Sequence, residues 1–140
     1  MKASPYLIFN GNCKEAIKLY EKAFKTKANF CLYKDTPPTE GIEIPAELGE
    51  YVMHCVMPVG KSTIYLCDTP PDHRAKFGNG SYACVELDSA TEVKAAYEIL
   101  VKGGKPSCEP QESFWNKCYC EFEDKFGLKW SIMVEEKQSF

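Results

Sequence analysis

Residues 113–135 read SFWNKCYCEFEDKFGLKWSIMVE, and this stretch predicts a β-hairpin on which the fold depends. Alternation with a period of two indicates a first strand from Trp115 to Phe122, with its apolar side chains on one face. A polar turn follows and ends at Gly127, because glycine adopts the positive φ that tight turns require. A second strand over 128–134 again places its large apolar side chains on a single face. An isolated hairpin is only marginally stable, so we expect it to pack against a helix from elsewhere in the chain.

Length and composition indicate an ordinary folded domain. The chain has 140 residues, of which 44% are hydrophobic and 26% charged, so it can bury a core without a disulfide or a metal ion. The net charge of −3, with no basic run, argues against nucleic acid and anionic membranes as partners. No apolar run reaches the roughly 18 residues of a membrane span, and no signal-peptide layout is present. We therefore expect a cytoplasmic protein.

Eight cysteines are spread through the predicted strands and the start of a helix. No C-x-x-C pair occurs, and the Cys/His spacing typical of zinc sites is missing, so we expect neither a disulfide framework nor a zinc site. The simplest interpretation is that they are free thiols used as small buried hydrophobic side chains. A reactive cysteine among them remains an open alternative. The eight are Cys13, Cys31, Cys55, Cys67, Cys84, Cys108, Cys118 and Cys120.

The two halves of the chain share one predicted order of elements, β-α-β-β-β. Amphipathic helices are predicted over 13–25 and from Ser89 onwards, and both contain the pattern E-x4-Y-E. Asn12 and Ser89 each precede a glutamate by three residues, which predicts a capping box at both helix starts. A hairpin over 51–68 matches the hairpin near the C-terminus. Together these matches favour an internal duplication.

We therefore predict an α+β protein in which tandem βαβββ modules, about residues 1–70 and 80–140, form a single domain. Each module is expected to form a curved, mostly antiparallel sheet with its helix on the convex side. Two such sheets placed side by side would form a mixed sheet around a cleft. A small organic molecule is expected to bind there.

Side chains in this predicted cleft are candidates for binding, although each also has a purely structural interpretation. His54 lies within a strand; an imidazole that faces the cleft could exchange protons near neutral pH, whereas one facing the helix would be half-buried on the sheet. Glu86 would indicate a functional site if buried, or would lie in water at the strand end. His73 is expected to be solvated.

Two loops also supply candidates. Asp68 begins an Asp-Thr-Pro-Pro turn and could offer an acceptor at the mouth of the cleft. Phe114 and Trp115 could form the wall of a pocket for a planar ligand, or could pack in the core. The full set of predicted ligand-binding residues is His54, Tyr65, Asp68, Tyr82, Glu86, Phe114, Trp115 and Ser131.

Three motifs carry a resemblance to a known family. They are the run PYLIFNGNCxEAIxxY over 5–20, the pair Phe114-Trp115, and D-x-F-G-x-x-W over 124–130. Together they resemble the PhnB-like branch of the vicinal oxygen chelate superfamily, which includes glyoxalase I, extradiol dioxygenases and bleomycin-resistance proteins. The resemblance covers essentially the whole chain. It implies the glyoxalase/bleomycin resistance/dioxygenase-like fold and, commonly, a homodimer.

The resemblance also implies where a metal would be held. Metal-dependent members hold a divalent ion with His, Gln or Glu side chains at four strand positions, two in each module. In this chain those positions fall near Pro5, Ile64 or Tyr65, Tyr82 and Ser131, and none of these is a normal ligand for a divalent ion. We therefore expect no metal. The Asn10–Asn12 turn has one glycine and the element order is not alternating β/α, so we expect no nucleoside cofactor either.

The leading hypothesis is a cytoplasmic, homodimeric protein that binds a small organic molecule without a metal ion. A second hypothesis is a metal-dependent lyase, isomerase or dioxygenase with relocated ligands. Those ligands would come from His54, Asp68, Glu86 and Glu135. A third is a dimeric scaffold without a ligand.

Overall fold

Two four-stranded sheets, each packed against one helix, form the protein in the computed structural model, which describes residues 1–37, 41 and 43–136. The helices are α1 (Cys13–Phe24) and α2 (Ala90–Leu100). The strands are β1 (Tyr6–Phe9), β2 (Asn29–Leu32), β3 (Val52–Val59), β4 (Ser62–Asp68), β5 (Ala83–Leu87), β6 (Lys105–Gln111), β7 (Tyr119–Glu123) and β8 (Lys129–Val134).

The two sheets repeat one topology. The strand order is β1-β4-β3-β2 in the first sheet and β5-β8-β7-β6 in the second. In each sheet the first-named pair is parallel and the other two pairs are antiparallel, so both sheets are mixed. Parallel pairing needs a long crossover, and in each unit the helix is part of it. The α+β class and the tandem βαβββ order are therefore confirmed. The chain divides into two compact units, residues 1–76 and 77–140.

Each sheet has one face against its helix and an opposite face, called here the open face. Alternation along the strands puts the apolar side chains on the helix face, as the period-two pattern predicts. In the second unit the buried set is the one expected from the hairpin: Cys118, Cys120, Phe122, Trp130, Ile132 and Val134. In the first unit it includes Leu7, Phe9, Cys55, Met57, Ile64 and Leu66.

The first strand of the C-terminal hairpin begins later than the sequence pattern predicts. Strand β7 starts at Tyr119, and Trp115 lies in the preceding loop. The Ser113 hydroxyl accepts hydrogen bonds from the backbone N–H groups of Trp115 and Asn116, and the buried Asn116 amide donates to the Val134 carbonyl at 2.9 Å. Serine and asparagine side chains that bond the backbone in this way compete with strand pairing. The loop therefore replaces the predicted start of the strand.

The two helices begin differently. Ser89 accepts a hydrogen bond from the Glu92 N–H at 3.2 Å, so the predicted side-chain cap of α2 is confirmed. The capping box predicted for α1 is wrong, because the Asn12 side chain makes no cap hydrogen bond. The Asp68 carboxylate caps this helix instead of Asn12 and accepts hydrogen bonds from the N–H groups of Gly11 and Cys13.

Asp68 is a buried structural residue, which corrects the prediction that it lies at the mouth of a cleft. It is 3% exposed and lies on the helix face at the end of β4. One oxygen accepts from Gly11 N at 2.7 Å and Cys13 N at 3.1 Å, and the other accepts from Val52 N at 2.9 Å. Three charge-assisted hydrogen bonds compensate for removing the carboxylate from water. Because it is also 3% exposed, the carboxylate is out of reach of a ligand at the surface.

Asp124 has a comparable role in the second unit. It is buried, and its carboxylate accepts from the N–H groups of Phe126 and Leu128 and from the indole N–H of Trp130. These bonds close the turn between β7 and β8 around Gly127, whose φ of +91° favours glycine.

Replacing Asp68 with asparagine is expected to destabilise the fold. The amide can present one acceptor oxygen, so its NH₂ group would face at least one backbone N–H and leave that donor unsatisfied. We expect the free energy of unfolding to fall by about 2–4 kcal/mol, measured by urea denaturation. Asp72→Asn is the matched control, since Asp72 is exposed and its change is expected to be within about 0.5 kcal/mol. Equal effects of the two substitutions would contradict the role assigned to Asp68.

Glu50 is expected to make stability depend on acid pH. The pKa of the exposed Glu50 carboxyl is lowered from 4.5 to about 2, because Lys14 and, to a smaller extent, Lys34 donate hydrogen bonds to it. Because the folded-state pKa is depressed, the contribution to stability is complete above pH 4.5 and is lost as the pH falls towards 2.

Measuring the free energy of unfolding at a series of pH values checks the role assigned to Glu50. The difference in unfolding free energy between the native protein and Glu50→Gln should be largest above pH 4.5, shrink towards pH 2, and weaken in high salt. The exposed Glu98→Gln serves as control. A difference that stays constant from pH 6 to pH 3 would rule out the assignment.

Candidate ligand-binding surface

Three aromatic side chains from three strands meet on the open face of the first sheet. Tyr6 on β1 pairs directly with Tyr65 on β4, and His54 on β3 lies diagonally across from Tyr65. The ring centroids of His54 and Tyr65 are 5.6 Å apart in a stacked arrangement. The ring centroid of Tyr6 lies 5.8 Å from that of Tyr65 and 6.0 Å from that of His54. Tyr6, His54 and Tyr65 are called the ring cluster below.

The Tyr6 hydroxyl is hydrogen-bonded to His54, with 3.2 Å between its oxygen and Nδ1. Cys67, the cross-strand neighbour of Ile8, lies on the same face of the sheet. The pKa of Tyr6 is raised to about 12, chiefly by burial and to a smaller extent by the Cys67 side chain. Burial also raises the pKa of the Cys67 thiol, although the Tyr6 side chain acts in the opposite direction. Burial likewise raises the pKa of nearby Tyr33. The phenol and the thiol are therefore neutral at physiological pH.

The sequence predicted two members of this cluster and missed the third. His54 and Tyr65 were candidates, and the structure brings them into contact on the open face. Tyr6 was not among them, although it alternates with Leu7 and Phe9, whose side chains are buried. Strand parity applied to β1 would have placed Tyr6 with Ile8 on the open face.

The second unit carries three further candidates. On the open face of its sheet Cys84, Ser131, Glu121 and Cys108 follow one another across the four strands. Cys84 and Ser131 are direct cross-strand neighbours. Glu86 is exposed, so the interpretation of a strand residue in water fits it. Tyr82 precedes β5 and is also exposed, with Lys129 Nζ 5.8 Å from its ring centroid.

The remaining candidates lie in loops. Phe114 and Trp115 precede β7 and are 102% and 45% exposed, so packing in the core is excluded for both. Trp115 contacts Tyr119 with ring centroids 4.6 Å apart. His73 is exposed beside Asp72, with 3.1 Å between its Nδ1 and a carboxylate oxygen, as expected for a solvated residue. A binding role for Phe114 and Trp115 stays a prediction.

The positions where the family resemblance implies metal ligands carry side chains that bind divalent ions poorly, and the absence of a metal site there stays a prediction. Pro5 has no donor side chain, and Tyr65, Tyr82 and Ser131 offer neutral hydroxyl groups, which are poor ligands. Within residues 1–37, 41 and 43–136 no three His, Cys, Asp or Glu side chains converge to hold a metal.

The relocated ligand set does not assemble within the first unit either. His54 is on the open face and Asp68 on the helix face of the same sheet, so the two cannot share an ion. All oxygens of Asp68 are engaged by backbone donors.

Two backbone N–H groups at the start of α1 are already engaged by a carboxylate of the protein. Helix N-termini bind phosphate through unsatisfied N–H groups, but here the Asp68 carboxylate accepts from the N–H groups of Gly11 and Cys13. The β1–α1 turn is thus filled by the protein's own carboxylate.

All eight cysteines are free, and the structure divides them into two classes. Four are buried on the helix faces, as expected for small hydrophobic side chains: Cys13, Cys55, Cys118 and Cys120. The prediction that the cysteines are buried is wrong for the other four. Cys31, Cys67 and Cys108 are partly exposed and Cys84 is exposed.

Comparison with known proteins identifies the family and supports the fold. The model of the family described as 3-demethylubiquinone-9 3-methyltransferase matches residues 1–133. Protein YjdN of Escherichia coli K12 is 26% identical over 99% of this chain and 98% of its own. The crystal structure of PA1353 from Pseudomonas aeruginosa is 27% identical, covers 98% and 99% of the two chains, and superposes with a TM-score of 0.83.

A more distant structure shares the fold alone. The fosfomycin resistance protein FosX from Listeria monocytogenes, in complex with Mn(II) and a dihydroxypropylphosphonic acid, is 11% identical. The match covers 97% of this chain and 92% of that one, with a TM-score of 0.64. In the part of the chain that the structure describes, neither helix is long and apolar enough to cross a membrane.

Thiol labelling is expected to separate the two classes of cysteine. Burial raises the pKa of Cys55 and Cys120 to about 12 and raises that of Cys13 and Cys118 as well, so these four should resist Ellman's reagent at neutral pH. Cys84 should react fastest, and all eight should react in denaturant. Peptide mapping gives the rate at each site, with Cys84→Ser as control. Rapid native labelling of Cys13 or Cys120 would show that the helix faces are open.

Proposed function

The chain belongs to the 3-demethylubiquinone-9 3-methyltransferase family, a PhnB-like family of the vicinal oxygen chelate superfamily, and on this premise we propose that it binds a small planar organic molecule on the open face of the first sheet. The ring cluster is the observation that carries the proposal.

Exposure of the ring cluster supports binding. Tyr6 is 50% exposed and its strand neighbour Ile8 is 40% exposed, while His54 and Tyr65 are partly exposed beside them. A contiguous apolar and aromatic patch that faces water is typical of a ligand or interaction site. Covering it with a flat ligand removes aromatic surface from water, and each ring contact adds about 0.5–1.5 kcal/mol.

Polar groups within the patch define the kind of ligand. The Tyr6 phenol is a neutral donor with a pKa of about 12, and a neutral imidazole offers one donor and one acceptor. Neutral groups favour an uncharged ligand over a strongly anionic one. A planar molecule with a carbonyl or hydroxyl oxygen at its edge fits both the rings and these donors.

The family description names a methyl transfer, but the turn between β1 and α1 does not have the usual features of a nucleoside-cofactor site. The turn between β1 and α1 has one glycine, and Asp68 engages its N–H groups. A glycine-rich strand-to-helix turn with free N–H groups is the usual nucleoside-cofactor feature. Ligand binding therefore stands as the proposed function.

We also propose that the protein is a cytoplasmic homodimer. Eight free cysteines suit a reducing compartment, and the family resemblance implies a dimer. Light scattering of the purified protein should give about twice the chain mass of 15.8 kDa. A dimer that no compound stabilises would instead favour a scaffold.

A thermal-shift screen of planar aromatic carbonyl compounds tests the binding surface. A ligand at about 100 times its Kd should stabilise the protein by about 2.7 kcal/mol. Tyr65→Ala and His54→Ala should each weaken binding by about 5- to 10-fold, because each removes a ring contact worth about 1 kcal/mol. Phe30→Ala, which removes an exposed aromatic side chain outside the predicted ligand-binding set, is the matched control. Binding that survives both ring substitutions unchanged would place the ligand elsewhere.

A further inference from the structure

A concavity at the C-terminal end of α1 is lined mainly by lysines. Its volume is about 560 Å³, within the range of small-molecule sites. We propose that this concavity binds a small molecule that carries a di- or triphosphate group, held by Lys18, Lys22 and Lys25. The site is separate from the ring cluster, which lies on the opposite face of the sheet. The residues that line it are Lys18, Glu21, Lys22, Lys25, Thr26 and Lys27.

The three lysines are neighbours on the exposed side of the helix. Lys22 is four residues after Lys18, and Lys25 follows three residues later, directly after the last residue of α1. All three are exposed, and none of them forms an ion pair with an acidic side chain among the described residues. Like charges at this spacing destabilise a helix. A ligand with several negative charges would remove that repulsion.

The acidic side chain in the lining is already engaged by the protein. One carboxylate oxygen of Glu21 accepts a hydrogen bond from the Ala28 N–H at 2.8 Å, and the other lies 3.7 Å from Nζ of Lys27. Glu21 therefore offsets the charge of Lys27 and leaves the other three lysines of the lining uncompensated. The concavity is thus locally positive in a chain whose net charge is −3.

The backbone at Lys25 is strained. Its φ is +50° and its ψ is 49°, and within the described ranges it is the one residue other than glycine with a positive φ. Glycine is the usual residue in this conformation after a helix, because it has no Cβ. The segment after α2 follows that rule, with Gly103 at a φ of +77°. A lysine that is kept at such a position fits a role for its side chain.

The helix dipole accounts for only part of this pattern. A cation in the last turn of a helix is stabilised by the partial negative charge there, and Lys22 has that position. Lys18 lies in the middle of α1, and Lys25 lies beyond its end. Helix α2 has no basic residue in its last turn, where it carries Glu98. Dipole compensation is therefore not a shared requirement of the duplicated fold.

The chemistry of the lining indicates the class of ligand. Lysine ammonium groups bind phosphate as point charges, without the fixed fork of arginine. Three of them at one concavity suit adjacent anionic groups better than a single phosphate or carboxylate, and the Thr26 hydroxyl adds a neutral partner. The limited volume and the negative net charge of the chain disfavour a long polyanion.

Isothermal titration calorimetry of the full chain with inorganic triphosphate tests the site. One triphosphate should bind per chain, and its affinity should fall as the salt concentration rises. Lys18→Gln, Lys22→Gln and Lys25→Gln should each weaken binding by about 2- to 5-fold, the scale of an exposed ion pair. The triple variant should weaken it by about 10-fold or more.

The second unit provides a matched control for net charge. A triple variant with Lys94→Gln, Lys102→Gln and Lys105→Gln removes the same charge from three exposed lysines. Its affinity for triphosphate should equal that of the native protein, because these lysines do not line the concavity.

Lys25→Gly separates binding from stability. Glycine relieves the backbone strain, so the thermal midpoint should rise by about 2–4 °C. The affinity for triphosphate should nevertheless fall by about 2- to 5-fold, because an ammonium group is lost. A lysine with a purely structural role would change the midpoint and leave the affinity as it is.

Three outcomes overturn the proposal. The first is the absence of saturable triphosphate binding at low salt. The second is an equal affinity in the two triple variants, which would show no role for the concavity. The third is tighter binding of hexaglutamate than of triphosphate, which would make this surface a docking site for acidic peptides. None of these measurements involves the ring cluster, so their failure is distinct from that of the proposed function.

Discussion

The buried carboxylate of Asp68 is the interaction on which the first unit depends. It joins the turn after β1, the first residue of α1 and the first residue of β3 to the end of β4. A carboxylate buried without partners would cost several kcal/mol, so the three segments are held where their N–H groups reach it. The strands thus fixed are β1, β3 and β4, and these carry Tyr6, His54 and Tyr65.

The second unit uses the same device with a different set of donors. Asp124 closes the final turn and anchors the Trp130 indole on the helix face. The two helix faces are correspondingly alike in their apolar packing, while the open faces differ in chemistry. The first carries the cluster of Tyr6, His54 and Tyr65, and the second carries a row of Cys84, Ser131, Glu121 and Cys108. Divergence of this kind is expected where function depends on the site and stability on the core.

In the proposed function, the ring cluster serves as a binding surface that does not need the metal ligands used elsewhere in the superfamily. Tyr65 lies where the family resemblance expects a ligand, and in this chain it stacks on His54. Under the proposed function, aromatic stacking and neutral hydrogen bonds take the place of metal coordination in recognising the ligand.

The sequence by itself determined the order of elements, the duplication, the buried faces of the hairpin and the family, because hydrophobic periodicity and turn residues are local signals. The tertiary structure alone decided that Asp68 rather than Asn12 caps α1, since that bond joins residues 57 positions apart. It likewise moved Trp115 into a loop, because Asn116 bonds a carbonyl 18 residues away. The contact between Tyr6 and His54, 48 positions apart, depends on strand register. Register is fixed by long-range pairing, which no local pattern contains.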